Sequence, residues 1–305
     1  MTQTGNGETL HPRVVVLSHN PVIERQGNRR LNQVLGWHEP DALVQQYINA
    51  VADASHGLVR YEVIERHEVD GYPVKVDGFQ YSDDSFLRCW NARTGFHQPD
   101  GADYLRLMNA VAFMDKVQAN LVDELWLMGF PYAGYYESAM GGRGAIWCNA
   151  PPLAGTAQVS RRFVVMGFNY ERDAGCMLEN LGHRAESILE HVFRRASPAN
   201  NLWQQFTRYD RIAPGQASCG NVHFAPNSER DYDWGNRRSV LSTCDRWLSY
   251  PRLDSPPRKV NCAEWGNGDM LAHHVWWMQH FPHLPGTTPD GFLNNWWEYI
   301  VSLTF

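Results

Sequence analysis

Residues 162–195 read RFVVMGFNYERDAGCMLENLGHRAESILEHVFRR, and the reading of this stretch decides the fold class. Arg162–Phe168 is a short apolar run of strand length, rich in Phe and Val. A polar turn, Asn169-Tyr170-Glu171-Arg172, follows it. From Glu171 to Arg195, Met177, Leu178, Leu181, Ile188, Leu189 and Val192 recur at helical spacing. A buried strand running into an amphipathic helix is a building unit of α/β layers.

The same rhythm extends towards the N-terminus. Arg13–Leu17 (RVVVL) predicts a strand. Asp41–Ala54 predicts a helix with Leu43, Tyr47, Ile48 and Val51 on one side. Val59–Glu68 alternates like a strand, and the Gly- and Asp-rich stretch Asp70–Asp84 predicts a hairpin or ordered loop. Tyr104–Leu121 predicts one helix and Val122–Phe130 (VDELWLMGF) another strand. The order β-α-β-α-β-β-α implies an α/β fold with a mostly parallel sheet flanked by helices.

From Ala196 the texture changes. Pro, Gly, Asn and Trp become frequent, and helical periodicity fades until Asp269. Residues 219–238, CGNVHFAPNSERDYDWGNRR, are turn-rich. Met270–His280 and Leu293–Leu303 predict short helices carrying the pairs Trp276-Trp277 and Trp296-Trp297. The expectation is an α/β domain over 1–195 and an irregular, aromatic-rich C-terminal region over 196–305. That region would pack onto the sheet within the same globule.

Composition narrows the class. The chain has 305 residues, 43% of them hydrophobic and 12% aromatic, as in a well-packed globular protein. A net charge of −6 argues against a nucleic-acid partner. No apolar run is long enough to span a membrane. The N-terminal MTQTGNGETLHPR lacks the basic and apolar regions of a leader. Export through a removed leader stays open, and so does the compartment. Six cysteines without a C-x-x-C pair exclude a zinc-ribbon or thioredoxin motif. Whether they form disulfides or buried thiols is open at this stage.

In parallel sheets, ligands bind beyond the carboxyl ends of the strands. Here those ends carry His19-Asn20, Pro131 to Glu137 and Asn169 to Arg172. The strongest chemical signal lies on the helix after the last strand. Glu179, His183 and Glu186 are spaced by four and three residues, which stacks them on one face. A carboxylate and an imidazole one turn apart form half of a divalent-metal site. Gly182 costs about 1 kcal/mol relative to alanine inside a helix, and close approach of another segment is a common reason to keep it.

The run Glu179-Asn180-Leu181-Gly182-His183 resembles the helix of zincin metallopeptidases, whose motif is H-E-x-x-H. It is most similar to the H-E-F-G-H form of IgA-peptidase-type enzymes. The resemblance implies that His183 is a metal ligand and that Glu179 stands in for the first histidine. Asn180 occupies the place of the catalytic glutamate, and an amide is no general base. Glu186 would then supply the base or a ligand.

A further ligand must come from elsewhere, and His223 and Asp231 in the turn-rich segment, with Asp233, are the candidates. A second histidine patch comprises His273, His274, His280 and His283. The expected centre is thus a divalent metal, zinc by its donors, held by Glu179, His183, His223 and Asp231. Glu186 would accept a proton from water, and Tyr170 or Tyr135 would donate to the developing oxyanion. This describes a metal-dependent hydrolase acting on peptide or amide bonds.

Three other readings remain in play. The tryptophans and tyrosines could form a platform for a glycan. The replaced base fits a non-catalytic metallopeptidase-like binding protein. Cys219 with His223, or Cys148, could be a nucleophile, although no local signature surrounds them. The sequence gives neither a specific substrate, peptide or glycan, nor the oligomeric state.

Overall fold

The computed structural model describes residues 8–305. Most of the N-terminal stretch inspected for a leader, residues 1–7, lies outside them. The chain divides into two compact units. A sheet unit comprises Pro12–Gln46 and Tyr61–Asp173. An aromatic unit comprises the described residues up to His11, Tyr47–Arg60 and Ala174–Phe305.

In the sheet unit the strands are β1 (Arg13–His19), β2 (Glu62–Val69), β3 (Glu124–Gly129), β4 (Ser138–Gly141) and β5 (Phe163–Asn169). Their spatial order is β2-β1-β3-β5-β4. All pairs are parallel except β4 with β5, which is antiparallel. The fold class read from the sequence therefore holds. Buried strands read as continuous apolar runs, and β3 is covered along its whole length. The edge strand β2 instead alternates exposed and half-buried residues, which gave it its alternating sequence.

One face of the sheet presents Val15, Leu17, Leu125, Leu127, Phe163 and Val165. They pack against Leu107, Met108, Phe113 and Val117 from the following helices. Each such side chain stabilises by roughly 1.5–3 kcal/mol when fully buried. The expected helix Tyr104–Leu121 is in fact two, Tyr104–Ala110 and Phe113–Gln118. Ala112 between them takes a left-handed conformation, φ 47°. The break lets Leu107 and Met108 before it, and Phe113 and Val117 after it, all reach the same core.

The stretch Asp70–Asp84 is an ordered loop with a single bridge, Lys75 to Ala102. Helix Asp83–Ala92 begins at its end, capped by Ser82, whose hydroxyl accepts from Ser85 N–H.

In the aromatic unit the long helix spans Ala174–Phe193. It packs against Met270–Gln279 and Trp296–Ser302. The Phe206 ring contacts Trp203, Trp247, Trp277, Phe281 and Trp296, with centroids 5.3–6.1 Å away. Nine of the twelve tryptophans are buried, including every one between residues 196 and 305. There they are core, the work that leucine and isoleucine do in most domains. Trp147, 60% exposed, belongs to the sheet unit. Among the described residues no helix is long and apolar enough to cross a membrane.

Candidate metal centre

The Ala174–Phe193 helix buries Met177, Leu178, Leu181, Ala185, Ile188 and Leu189. On a solvent-facing stripe, Glu179, His183 and Glu186 would stand open. They do not, because the turn-rich segment folds over them. Glu179 is buried, and the His183, Glu186 and His223 side chains are 17%, 26% and 28% exposed.

Gly182 makes this cover possible. A Cβ at that position would lie 2.6 Å from Val222 Cγ2. Val222 immediately precedes His223, so the glycine sets how closely the loop approaches the helix. The loop is shaped by Asn221, whose Oδ1 accepts from the N–H groups of His223 (3.0 Å) and Phe224 (2.9 Å). Three further bonds pin it. Val222 N–H donates to Glu186 Oε1 at 3.1 Å, His274 Nε2 meets Val222 O at 3.2 Å, and Trp277 Nε1 donates to Gly220 O at 3.0 Å.

These restraints bring His183 Nε2 and His223 Nε2 to 3.2 Å of one another. Glu179 Oε1 is 3.4 Å from His223 Nε2. The ligand atoms of all three residues lie within 4.8 Å of each other. The outer nitrogens face carboxylates, His183 Nδ1 meeting Glu186 Oε2 at 3.1 Å and His223 Nδ1 meeting Asp231 Oδ1 at 3.1 Å. With a carboxylate on each Nδ1, the two Nε2 atoms face one another, and His223 Nε2 also faces Glu179 and the Tyr232 hydroxyl. Two imidazole nitrogens and a carboxylate oxygen thus converge, a donor set that could hold a cation.

The spacing fits a metal. Tetrahedral ligands 2.0–2.1 Å from zinc stand about 3.3 Å apart, close to the separations found. Carboxylates on the outer nitrogens are the usual support of metal-binding histidines.

Burial works to raise the Glu179 carboxyl pKa, but the hydrogen bond from His223, the neighbouring His274 and His183 and the bond from Tyr232 outweigh it and hold it low. The hydrogen bond to Glu179 raises His223, against burial. Burial pushes His274 down to about 4, which keeps it neutral.

No family model, curated protein or solved structure matches this chain. The chemistry must therefore be read from the site alone.

Of the residues expected at the site, Glu179, His183 and His223 come together. Asp231 and Glu186 stand behind the two imidazoles, and both oxygens of Glu186 are engaged, by His183 and by Val222. Asp233 accepts from Glu229 N–H and Asn236 within the loop. Tyr135 and Tyr170 belong to the sheet unit. There the Tyr135 hydroxyl bonds His19 Nδ1 at 2.9 Å and the Tyr170 hydroxyl donates to His19 O at 3.0 Å.

Of the second histidine patch, His274 supports the loop. His273 is buried and stacked on Trp234, with centroids 5.1 Å apart. Tyr232 is the residue that sequence reasoning passed over. Its hydroxyl lies 3.1 Å from His223 Nε2. The available signal was its place between Asp231 and Asp233.

A second group, Cys244, Asp245 and His280, also brings potential ligands within 4.8 Å. Its chemistry differs. Arg258 occupies both oxygens of Asp245 at 2.6 and 2.9 Å, and burial pushes the Cys244 thiol up to about 11. That group is a neutralised, protonated network.

Beside the first group runs a groove of about 560 Å³. Glu186, Glu190, Arg194, Gln204 and Asn221 line it. Glu186 and Asn221 thus serve both the groove and the loop that carries His223.

Proposed function

We propose that this chain is a metal-dependent hydrolase of peptide or amide bonds, with Glu179, His183 and His223 holding a divalent ion, zinc by its donor set. The observation that carries the reading is the convergence of His183 Nε2, His223 Nε2 and Glu179 Oε1 with both outer nitrogens tied to carboxylates. Two imidazoles and one carboxylate are a donor set of catalytic zinc, whereas structural zinc sites are closed by four protein ligands rich in cysteine. The resemblance of the helix to the zincin motif supports peptides as the substrate class, and the groove bordered by Glu186 and Asn221 offers them room.

A zinc ion held there would lower the pKa of a bound water towards neutrality and polarise a carbonyl. The protein's part is orientation. Glu186 and Asp231 fix the tautomer and direction of the two imidazoles. Asn221 and Gly182 fix the loop. Asn180, an amide in the place of the zincin glutamate, accepts no proton.

The test is hydrolysis of an unbiased peptide library. Cleavage should stop on chelation, return with zinc and be missing in a His223→Ala variant. Cleavage that persists after complete metal removal, or zinc-loaded protein that cleaves no peptide, would overturn the reading.

A further inference from the structure

The groove beside the metal centre follows the Ala174–Phe193 helix past its end. Glu186, Glu190 and Arg194 border it at four-residue intervals. Side chains so spaced lie one above another on a helix. Arg194 N–H donates to Glu190 O at 3.0 Å, which carries the helical turn on to Arg194. Glu186 touches His183, and Arg194 lies two turns further on, about 12 Å along the axis. The groove therefore leads away from the centre along one helix face.

The three charges are not equally committed. Glu186 meets His183 with one oxygen and accepts from Val222 N–H with the other. Glu190 and Arg194 are exposed, and among the described residues neither is held in an ion pair. The groove thus offers a carboxylate nearer the centre and a guanidinium further out. Helix residues four apart stand about 6 Å apart along the axis. In an extended peptide, alternate side chains point the same way and recur about every 6.6–6.8 Å. The two spacings match.

We infer that the groove takes an extended peptide carrying a cation and an anion two residues apart, the cation on Glu190 and the anion on Arg194. The register relative to the cleaved bond rests on the metal-centre reading above. Glu190 lies about 10.5 Å and Arg194 about 16.5 Å beyond His183 along the axis. At roughly 3.3 Å per residue, an extended substrate brings its third residue from the cleaved bond to Glu190 and its fifth to Arg194. The substrate class is peptides with Lys or Arg at the third of these positions and Asp or Glu at the fifth. Glu190 and Arg194 determine that specificity.

Fluorescence anisotropy of labelled nonapeptides on the metal-free full-length protein tests the groove apart from any turnover. A peptide centred on Lys-Ala-Glu should bind roughly 2–10-fold more tightly than one centred on Lys-Ala-Lys or Glu-Ala-Glu. It should also surpass one with Lys and Glu adjacent, whose side chains point to opposite faces. Glu190→Arg should turn the preference to Glu-Ala-Glu, and Arg194→Glu should turn it to Lys-Ala-Lys. Both residues are exposed, so circular dichroism should not change. Preferences that ignore these reversals, or no binding of any peptide, overturn the inference. With zinc restored, library peptides should be cut three residues from Lys or Arg and five from Asp or Glu, and cuts without that pattern overturn the register. Charge-matched binding with no cleavage keeps the groove and overturns the hydrolase. Cleavage blind to both reversals keeps the hydrolase and overturns the groove.

Discussion

His183 and His223 meet Nε2 to Nε2 at 3.2 Å, one from a helix and one from a loop 40 residues later, and each is tied back through Nδ1 to a carboxylate. The carboxylates should set affinity without being ligands. Glu186→Gln and Asp231→Asn keep an acceptor for the imidazole hydrogen but remove the charge. Each should weaken zinc binding roughly 10–100-fold while leaving the stoichiometry at one. Competition titration against a chromophoric chelator reads the change. Unaltered affinity in both variants would show that the carboxylates have no part in the centre.

Gly182→Ala should destabilise the protein, against the usual trend. In an ordinary helix interior the change gains about 1 kcal/mol. Here the new Cβ would sit 2.6 Å from Cγ2 of Val222, a stiff β-branched side chain. Overpacking of this kind costs about 1–3 kcal/mol, and it pushes on the residue next to His223. The denaturant midpoint should fall, and adding Val222→Ala should recover part of the loss. A rise in the midpoint for the single variant would contradict the contact.

Acid should destabilise the chain before its carboxylates titrate. Burial lowers His19 and His280 from 6.5 to about 4. Between those values the unfolded chain carries protons that the folded chain refuses, so stability rises with pH across this window. It is fully present above 6.5 and is lost as pH falls towards 4. His280 alone contributes ~3 kcal/mol to that loss. His280→Asn retains a donor for Trp276 O, which His280 Nδ1 meets at 2.7 Å. It should flatten the slope of denaturant midpoint against pH between 4 and 6.5.

All six cysteines are free thiols. Five are buried, and burial pushes Cys219 and Cys244 well above the ordinary thiol range. Only Cys176 is partly open. A thiol reagent should modify at most one cysteine quickly in the native protein and six in denaturant. Fewer than six in non-reducing denaturant would reveal a disulfide.

The four parallel strands were legible because buried strands are short apolar runs, as Phe163–Asn169 shows, whereas the antiparallel strand Ser138–Gly141, only four residues long with a glycine at its end, was not read. The E-x-x-x-H-x-x-E spacing was legible because a helix converts sequence spacing directly into a shared face. Where the site combines distant segments, sequence was blind to the outcome. Nothing local decides that His223 points at His183 while Asp231 stands behind it, because the choice is made by Asn221, Gly182 and the notch around Val222.

Glu186 looked like a base because it lies on the ligand face. At three residues' distance its carboxylate instead reaches the outer nitrogen of His183. Helix Asp83–Ala92 had a readable start in Ser82 and Ser85, hidden by the Gly- and Asp-rich run before it. The division at residue 195 followed a change in composition, whereas packing groups the Ala174–Phe193 helix with the aromatic segments after it.

The most direct test of the metal centre is calorimetric titration of the apo full-length protein with zinc. The geometry predicts one zinc per chain with proton release, and no specific binding in His183→Ala or His223→Ala variants that remain folded. A folded wild-type chain that binds no zinc, or variants that bind it as the wild type does, would mean that the convergence of His183, His223 and Glu179 is closed by a proton.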